Sequence, residues 1–460
     1  MSFSVAAAAR CSPHALALVA DGVHWTYADL AAQVRCEAAV LAPVVAGGWA
    51  RLTATATPEF VVRLVALWKL NVTPVLLHPR WREAERRQAR AAVPQAVDLD
   101  QVPFAREEDR VERAAPAVGH RPMAVLFSSG SSGAPKGVAL SKRAFRAAAA
   151  ASAARLGWRQ DDRWLLALAP AHVGGLSVLT RCLAACRPVV LAASQEPAAM
   201  LEVMARHHVT LASLVPAQLA RLLAASVAAP PALRAVLVGG GPCPAELLTE
   251  GRRGGWPLLP TYGLTEACSQ VATVAPGEEP VGCGRPLGGV EVQVREGEIH
   301  LRGATLFDGY VESGQVVPSL DEGGWFATGD LGELDGQGNL HVFGRRDDII
   351  VTGGENVAPA EVEAVLRGCD GVAQALVVGV PHPVWGAVVG ALLVAGPAGP
   401  PPDEVVQGHL AESLAAFKRP RRWCWVKELP LTPSGKPDRA AARALLSDPT
   451  PDRSARRPAE

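Results

Sequence analysis

The sequence has no excess of charge, no paired-cysteine motif, few aromatic residues and no apolar run of membrane length. Lys plus Arg equals Asp plus Glu, 45 against 45, over 460 residues. No global field therefore draws the chain to nucleic acid or to an acidic membrane surface. The nine cysteines, from Cys11 to Cys424, are scattered and form no CxxC pair. Cys182 and Cys186 stand one helical turn apart, but no His or second Cys pair completes a zinc set. Dispersed thiols in odd number read as reduced cysteines of a cytoplasmic protein, not as a disulfide framework. No apolar stretch approaches the ~20 residues of a membrane span. The opening "MSFSVAAAARCSPHALALVADG" lacks a basic region before its apolar run, so no signal peptide is expected. The expectation is a soluble cytoplasmic enzyme with no nucleic-acid partner and no membrane insertion. Oligomeric state is not legible.

What is present is a long chain with a changing pattern. Its length exceeds one hydrophobic core, so two or more domains are expected. Between about residues 50 and 260, short apolar runs alternate with Ala/Leu-rich helical segments. "MAVLF" (123–127), "RWLLALAP" (163–170), "PVVLAA" (188–193) and "LRAVLVGG" (233–240) read as strands. Helical segments stand between and after them. This alternation predicts an α/β fold with mostly parallel sheet covered on both faces. Ligands in such folds sit at the carboxyl ends of the strands. From about residue 285 the pattern turns antiparallel. "GVEVQVREGEIHLRG" (289–303) alternates around a Glu-Gly turn and predicts a hairpin. After "GRRDDII" a smaller α+β unit begins. The last residues, 447–460, are rich in Pro and Arg and are expected to be a disordered tail.

The stretch "SSGSSGAPKGV" (128–138) resembles a phosphate loop. It is not the Walker loop, G-x-x-x-x-G-K-[ST]. Counted from Gly130, the sixth position is Pro135, and Lys136 is followed by Gly137 instead of Ser or Thr. What remains is a loop of small residues. Its hydroxyls and N–H groups can wrap a polyphosphate, with Lys136 as a mobile cation. Alone it could equally be a linker.

Four further motifs follow in order: "TYGLTEA" (261–267), "GWFATGDL" (324–331), "GRRDDIIVTGGENVAPAEVE" (344–363) and "PLTPSGKPDR" (430–439). With these the chain resembles the acyl-adenylate-forming superfamily of acyl-CoA synthetases, luciferases and peptide-synthetase adenylation domains. The resemblance runs over nearly the whole chain. It implies a large N-terminal AMP-binding domain (1–344) of αβ-layered sheets with a small β-barrel-like part. It also implies a small mobile α+β C-terminal domain (345–446).

The resemblance also implies roles. The loop residues Ser128, Ser129, Gly130, Ser131, Ser132, Gly133 and Lys136 would hold the β- and γ-phosphates of ATP. Gly239, Gly240 and Gly241 of "GGGP" would border the adenine, and Tyr262 would lie against its face. Thr265 would donate to the α-phosphate and Glu266 would coordinate Mg2+, a metal that takes hard oxygen ligands. By itself Glu266 could be a helix-start carboxylate. Asp330 and Arg345 would reach the ribose, and Asp347 would be the hinge or a plain surface Asp. Lys436 would be the catalytic lysine. A flexible ammonium can hold a carboxylate and the α-phosphate together against their repulsion. Gly353 and Gly354 would line the channel for the thiol, for which free coenzyme A is expected.

The acid is less constrained. The resemblance implies a pocket between the helix after "LAPAHVGGLSVL" (168–179), "LVPAQLARLL" (214–223), "GGGP" and the "TYGLTEACSQ" region. His172 would be a substrate contact or a core histidine. Gly174 and Gly175 would leave room beside it. Gln270 and Thr273 would offer polar contacts. "AHVGGLSVL" and "YGLTEACSQVAT" are most similar to the o-succinylbenzoate–CoA ligases of menaquinone synthesis. Ala171 departs from them, since a bulky aromatic usually precedes the His. The expected activity is an ATP-dependent acid–CoA ligase working through an acyl-adenylate. An aryl or medium-chain fatty acyl-CoA synthetase is the alternative. A non-catalytic nucleotide-binding regulator would have no need of Lys436, Glu266 and Asp330.

Overall fold

The computed structural model describes residues 3–20, 22–105, 121–129, 135–192, 194–432 and 436–447. The chain divides into two units. One holds the residues up to Gln293 with His300–Ala327 and Leu334–His341. The other holds Val294–Ile299, Thr328–Glu333 and the chain from Val342 onward.

Two mixed sheets dominate the first unit, where alternation alone suggested mostly parallel sheet. The parallel centre of a nine-stranded sheet runs in the order Leu258–Leu264, Ala235–Val238, Leu211–Leu214, Trp164–Leu166, Val189–Leu191, Leu16–Ala20. Antiparallel strands Ser269–Thr273 and Val23–Thr26 flank it. Two of the helices between parallel strands each bury one apolar stripe on the sheet. Met200 and Met204 of helix Pro197–Arg206 and Leu219, Leu222 and Leu223 of helix Pro216–Ala225 pack with Leu165, Val190, Ala212, Leu214, Val236 and Val238. Truncating one such Leu to Ala costs about 2–5 kcal/mol. The carboxyl ends of strands Ala235–Val238 and Leu258–Leu264 deliver Gly239 and Thr265 to one edge of the fold.

The second sheet has seven strands. Thr73–Leu77, Trp49–Thr53 and Val97–Asp98 are parallel to one another. Ala124–Ser129 and Pro135–Leu140 form an antiparallel hairpin, with Phe127 opposite Gly137 and Ser128 opposite Lys136. Strand Gly309–Glu312 pairs onto the hairpin, with Tyr310 opposite Val138 and Val311 opposite Gly137. The described residues on either side of the phosphate loop thus pair as antiparallel strands. The helix that follows, Lys142–Leu156, starts only after the return strand, where Ser141 caps it by accepting from the Ala144 N–H.

The hairpin expected at 289–303 forms from strands Val290–Arg295 and Glu298–Gly303, which lie side by side in a four-stranded sheet. Glu296 and Gly297 both take positive φ, 50° and 79°. Two successive left-handed residues match the right-handed twist of the flanking strands.

In the second unit, strands Val372–His382 and Gly386–Ala395 form a long antiparallel pair. Ile350–Thr352 and Arg422–Trp425 pair with Gly386–Ala395, and Glu355–Val357 pairs with Ile350–Thr352. Both faces are buried, as period 2 requires. Ala375 and Val377 meet Val362, Leu366, Val406 and Leu410 of helices Pro359–Arg367 and Asp403–Ser413. Leu376, Val378 and Val380 meet Ala442 and Leu446 of helix Arg439–Ser447. The tail expected at 447–460 falls outside the described residues except for Ser447, the last residue of that helix.

Candidate active site

Gly130, Ser131, Ser132 and Gly133 lie outside the described residues. The strands that carry the loop fix its remaining members. Ser128 and Lys136 pair across the two strands near the loop, and the Lys136 side chain is exposed. The Lys136 ammonium lies over the ring of Tyr310, 5.5 Å from its centroid. The Tyr310 hydroxyl donates to Glu266 Oε1 at 3.1 Å. Glu266 is buried in the short 3-10 helix Thr265–Ala267, beside the half-buried Thr265. Its carbonyl accepts the Phe307 N–H at 2.8 Å. One end of the first unit therefore holds a loop lysine, a tyrosine, a buried carboxylate and a threonine. Sequence reading missed Tyr310, because strand pairing brings it there.

The glycines of "GGGP" have different reasons. A Cβ on Gly239 would stand 2.5 Å from the Thr261 carbonyl oxygen, so the two neighbouring strand ends need a glycine there. Gly240 has φ +80°, where L side chains are strained, and Gly241 faces open space. Tyr262, on strand Leu258–Leu264, is buried.

His172 is the N-cap residue of helix Val173–Ala185, and its carbonyl accepts from Gly175 and Leu176. Its ring lies against that of His78, centroids 4.9 Å apart. His78 follows the last residue of strand Thr73–Leu77 and is buried. Its Nδ1 accepts the Arg80 N–H at 3.2 Å. Burial, helped by the Arg80 charge, pushes its imidazole down to about 4. Gly175 serves packing more than space: a Cβ there would stand 2.5 Å from the Ala169 carbonyl oxygen. Gly174 meets only the tip of Leu168.

Gln270 and Thr273 were expected as polar contacts. Thr273 is fully buried, and its hydroxyl is shared with Thr261 at 2.8 Å and Gln270 Nε2 at 2.8 Å. It is committed to a core hydroxyl chain, which corrects that expectation. Gln270 keeps Oε1 buried with no protein partner among the described residues.

Arg181 was not singled out. It lies on the helix that His172 caps and is only 2% exposed. Its Nη2 donates to Ser269 Oγ at 3.2 Å, and the guanidinium lies over the Trp164 ring, 5.4 Å from the centroid. Nε has no partner, and no carboxylate pairs with the group among the described residues. Burial pushes its pKa down to about 10, so it stays charged at neutral pH. A buried cation without a counter-charge is costly. A lone Arg inside the apolar run "LSVLTRCLAA" was the signal available in the sequence.

The second unit carries the other candidates. Arg345 Nη1 donates to Asp330 Oδ1 at 2.9 Å and to the Thr328 carbonyl at 2.8 Å. The neighbouring Arg346 pairs with Glu298, whose Oε1 accepts the Gly329 N–H at 2.7 Å. Asp347 is exposed in the 3-10 helix Arg346–Asp348. Arg439 ties that helix to the lysine motif, reaching Asp348 at 3.2 Å and Glu363 at 2.8 Å. Lys436 is exposed beside the antiparallel Leu431–Pro437 bridge, its carbonyl accepting the Thr432 N–H at 2.7 Å. Gly353 has φ +59°, and a Cβ there would run into the Trp385 ring at 2.5 Å. Trp385 in turn lies under Arg421, 4.9 Å from its ring centroid. Gly354, φ +88°, faces open space.

Comparison with known proteins agrees with this set of parts. The AMP-binding enzyme model matches residues 87–311, and the AMP-binding enzyme C-terminal domain model matches 361–436. A 2-succinylbenzoate–CoA ligase of Bacillus licheniformis is 36% identical over 422 residues, covering 85% of this chain and 88% of that protein. The chain belongs to the AMP-binding enzyme family. A 2-succinylbenzoate–CoA ligase of Bacillus subtilis is 32% identical, covering 93% of this chain and 94% of its own. The structure of the o-succinylbenzoate CoA synthetase of Bacillus subtilis with its acyl-adenylate intermediate superposes with a TM-score of 0.84 at 31% identity, covering 95% of this chain and 97% of that one. The same enzyme has been solved with ATP and magnesium ion, also at a TM-score of 0.84. No helix among the described residues is long and apolar enough to cross a membrane.

The donor set suits Mg2+ that arrives on a nucleotide. Among the described residues no cluster of three or more His, Cys, Asp or Glu side chains could hold a metal alone. One carboxylate, Glu266, with phosphate oxygens completing the shell, is the arrangement that Mg2+ accepts.

Proposed function

We propose that the protein joins 2-succinylbenzoate to coenzyme A, using ATP and forming AMP and pyrophosphate. Two steps are needed. A substrate carboxylate oxygen attacks the α-phosphorus, the bond to the β-phosphate breaks, and pyrophosphate leaves with the acyl-adenylate formed. The coenzyme A sulfur then attacks the acyl carbon, AMP leaves, and the thiol proton passes to solvent. Lys136 and the loop hold the departing phosphates. Thr265 donates to the α-phosphate. Mg2+, held by Glu266, neutralises phosphate charge when bound. Asp330 and Arg345 hold the ribose. Lys436 brings two anions together in the first step. Residues 345–446 then turn about Asp347, and the Gly353–Gly354 segment forms part of the thiol channel.

Arg181 carries the substrate reading. A buried, unpaired guanidinium is costly to a site for a fatty acid or a monocarboxylic aryl acid. It suits an acid with a second carboxylate, one reacting and the other pairing with Arg181. The helix of Arg181 and its partner Ser269 belong to the segments that would border the acid. The likeness to 2-succinylbenzoate–CoA ligases supports the same reading. The test is pyrophosphate release and thioester formation with ATP, Mg2+ and coenzyme A. The acids would be 2-succinylbenzoate, benzoate and fatty acids of several lengths. Preference for 2-succinylbenzoate is expected. Preference for a fatty acid would overturn the substrate and keep the mechanism.

A further inference from the structure

Tyr310 touches two groups of opposite charge at once. Its ring face takes the Lys136 ammonium, 5.5 Å from the centroid, and its hydroxyl takes Glu266 Oε1 at 3.1 Å. The ring is not free to leave. Phe307, 1% exposed, packs edge-on against it with centroids 5.0 Å apart, and Phe326 packs in the same way on Phe307 at 5.1 Å. The backbone is fixed as well, because strand Gly309–Glu312 sits in register on strand Pro135–Leu140, with Gly309 opposite Ala139 and Tyr310 opposite Val138. No ion pair joins Lys136 to Glu266 among the described residues, although both touch one side chain.

We propose that Tyr310 is a positioning residue that holds Lys136 and Glu266 apart and aims both at the nucleotide. The reasoning is electrostatic. A flexible ammonium near a half-dry carboxylate gains by pairing with it. Such a pair would cancel the cation that binds phosphate and the anion that binds the metal. An aromatic face gives the ammonium a weaker resting place, from which a triphosphate can recruit it. The phenol hydroxyl fixes one carboxylate oxygen and leaves the other for a metal ion. This inference rests on the assignment of Lys136 to the phosphates and Glu266 to the metal.

The test is ATP binding by equilibrium dialysis, without metal and across a Mg2+ series, on Tyr310→Phe, Tyr310→Leu and Tyr310→Leu/Glu266→Gln. Lys136→Ala and Glu266→Gln are measured beside them. Tyr310→Phe keeps the ring and removes only the hydroxyl. It should bind ATP without metal within about twofold of the parent, yet need about 10- to 150-fold more Mg2+ for half of the metal-dependent gain, the worth of one hydrogen bond to a charged group. Tyr310→Leu should weaken metal-free ATP binding about five- to thirtyfold, because loss of the cation–π contact is compounded by pairing of Lys136 with Glu266. Adding Glu266→Gln should recover most of that loss. Failure of recovery, or a metal-free affinity of Tyr310→Leu equal to the parent, would overturn the spacer role. If Lys136→Ala leaves metal-free binding unchanged and Glu266→Gln leaves the Mg2+ series unchanged, the site assignment falls and the spacer falls with it.

Discussion

Arg181→Met should move stability and specificity in opposite directions. Arg181 is 2% exposed, and its guanidinium has a hydroxyl and an aromatic face for company, with no carboxylate among the described residues. Replacing a whole buried ion pair by apolar side chains of similar volume is often neutral or stabilising, by about 1–4 kcal/mol, and at Arg181 no described carboxylate would be left uncompensated. Met suits the space because it is unbranched and adaptable. The urea midpoint of the variant should therefore stay or rise. The effect on the diacid is opposite. Charged hydrogen bonds contribute about 1.5–3 kcal/mol each, which is about 10- to 150-fold in kcat/KM for 2-succinylbenzoate. The control is 4-oxo-4-phenylbutanoate, which lacks the ring carboxylate and should change by less than about threefold. A large loss of stability with unchanged discrimination between these two acids would refute the reasoning and make Arg181 a structural residue.

Three other outcomes are expected. Lys436→Ala should abolish acid-dependent pyrophosphate release while leaving ATP binding largely intact; normal release would remove the lysine from the mechanism. Asp347→Pro should slow thioester formation more than adenylation, read by single-turnover mixing, and equal slowing would contradict the hinge. His78 should make stability acid-sensitive. Its imidazole sits at about 4 in the fold against 6.5 unfolded, so the unfolded chain binds the extra proton between those values. The stabilisation is complete above 6.5 and fades as pH falls toward 4. It amounts to about 2 kcal/mol between pH 7.5 and 5. His78→Asn keeps an acceptor for the Arg80 N–H and should flatten this part of the urea-midpoint profile; an unchanged slope would contradict it.

Local signals were legible in the sequence and long-range pairings were not. The helices Lys142–Leu156 and Pro197–Arg206 and the Glu296–Gly297 hairpin follow from periodicity and turn chemistry. The motif positions Lys136, Glu266, Asp330 and Lys436 follow from resemblance. Nothing local says that strand Gly309–Glu312 docks on the phosphate-loop hairpin and so delivers Tyr310, which lies 44 residues from Glu266. Nor does it say that His78, from the seven-stranded sheet, meets His172, which follows the nine-stranded one. Thr273 shows the converse error. Its polarity suggested a ligand contact, but its hydroxyl is bonded to the side chains of Thr261 and Gln270.

The central claim is a two-step reaction through an enzyme-bound acyl-adenylate. The most direct test is a quenched single turnover with ATP, Mg2+ and 2-succinylbenzoate in the absence of coenzyme A. The account predicts one equivalent of pyrophosphate and of enzyme-bound acyl-adenylate, which coenzyme A then converts to thioester with release of AMP. Release of ADP and phosphate, or no pyrophosphate until coenzyme A is added, would contradict it.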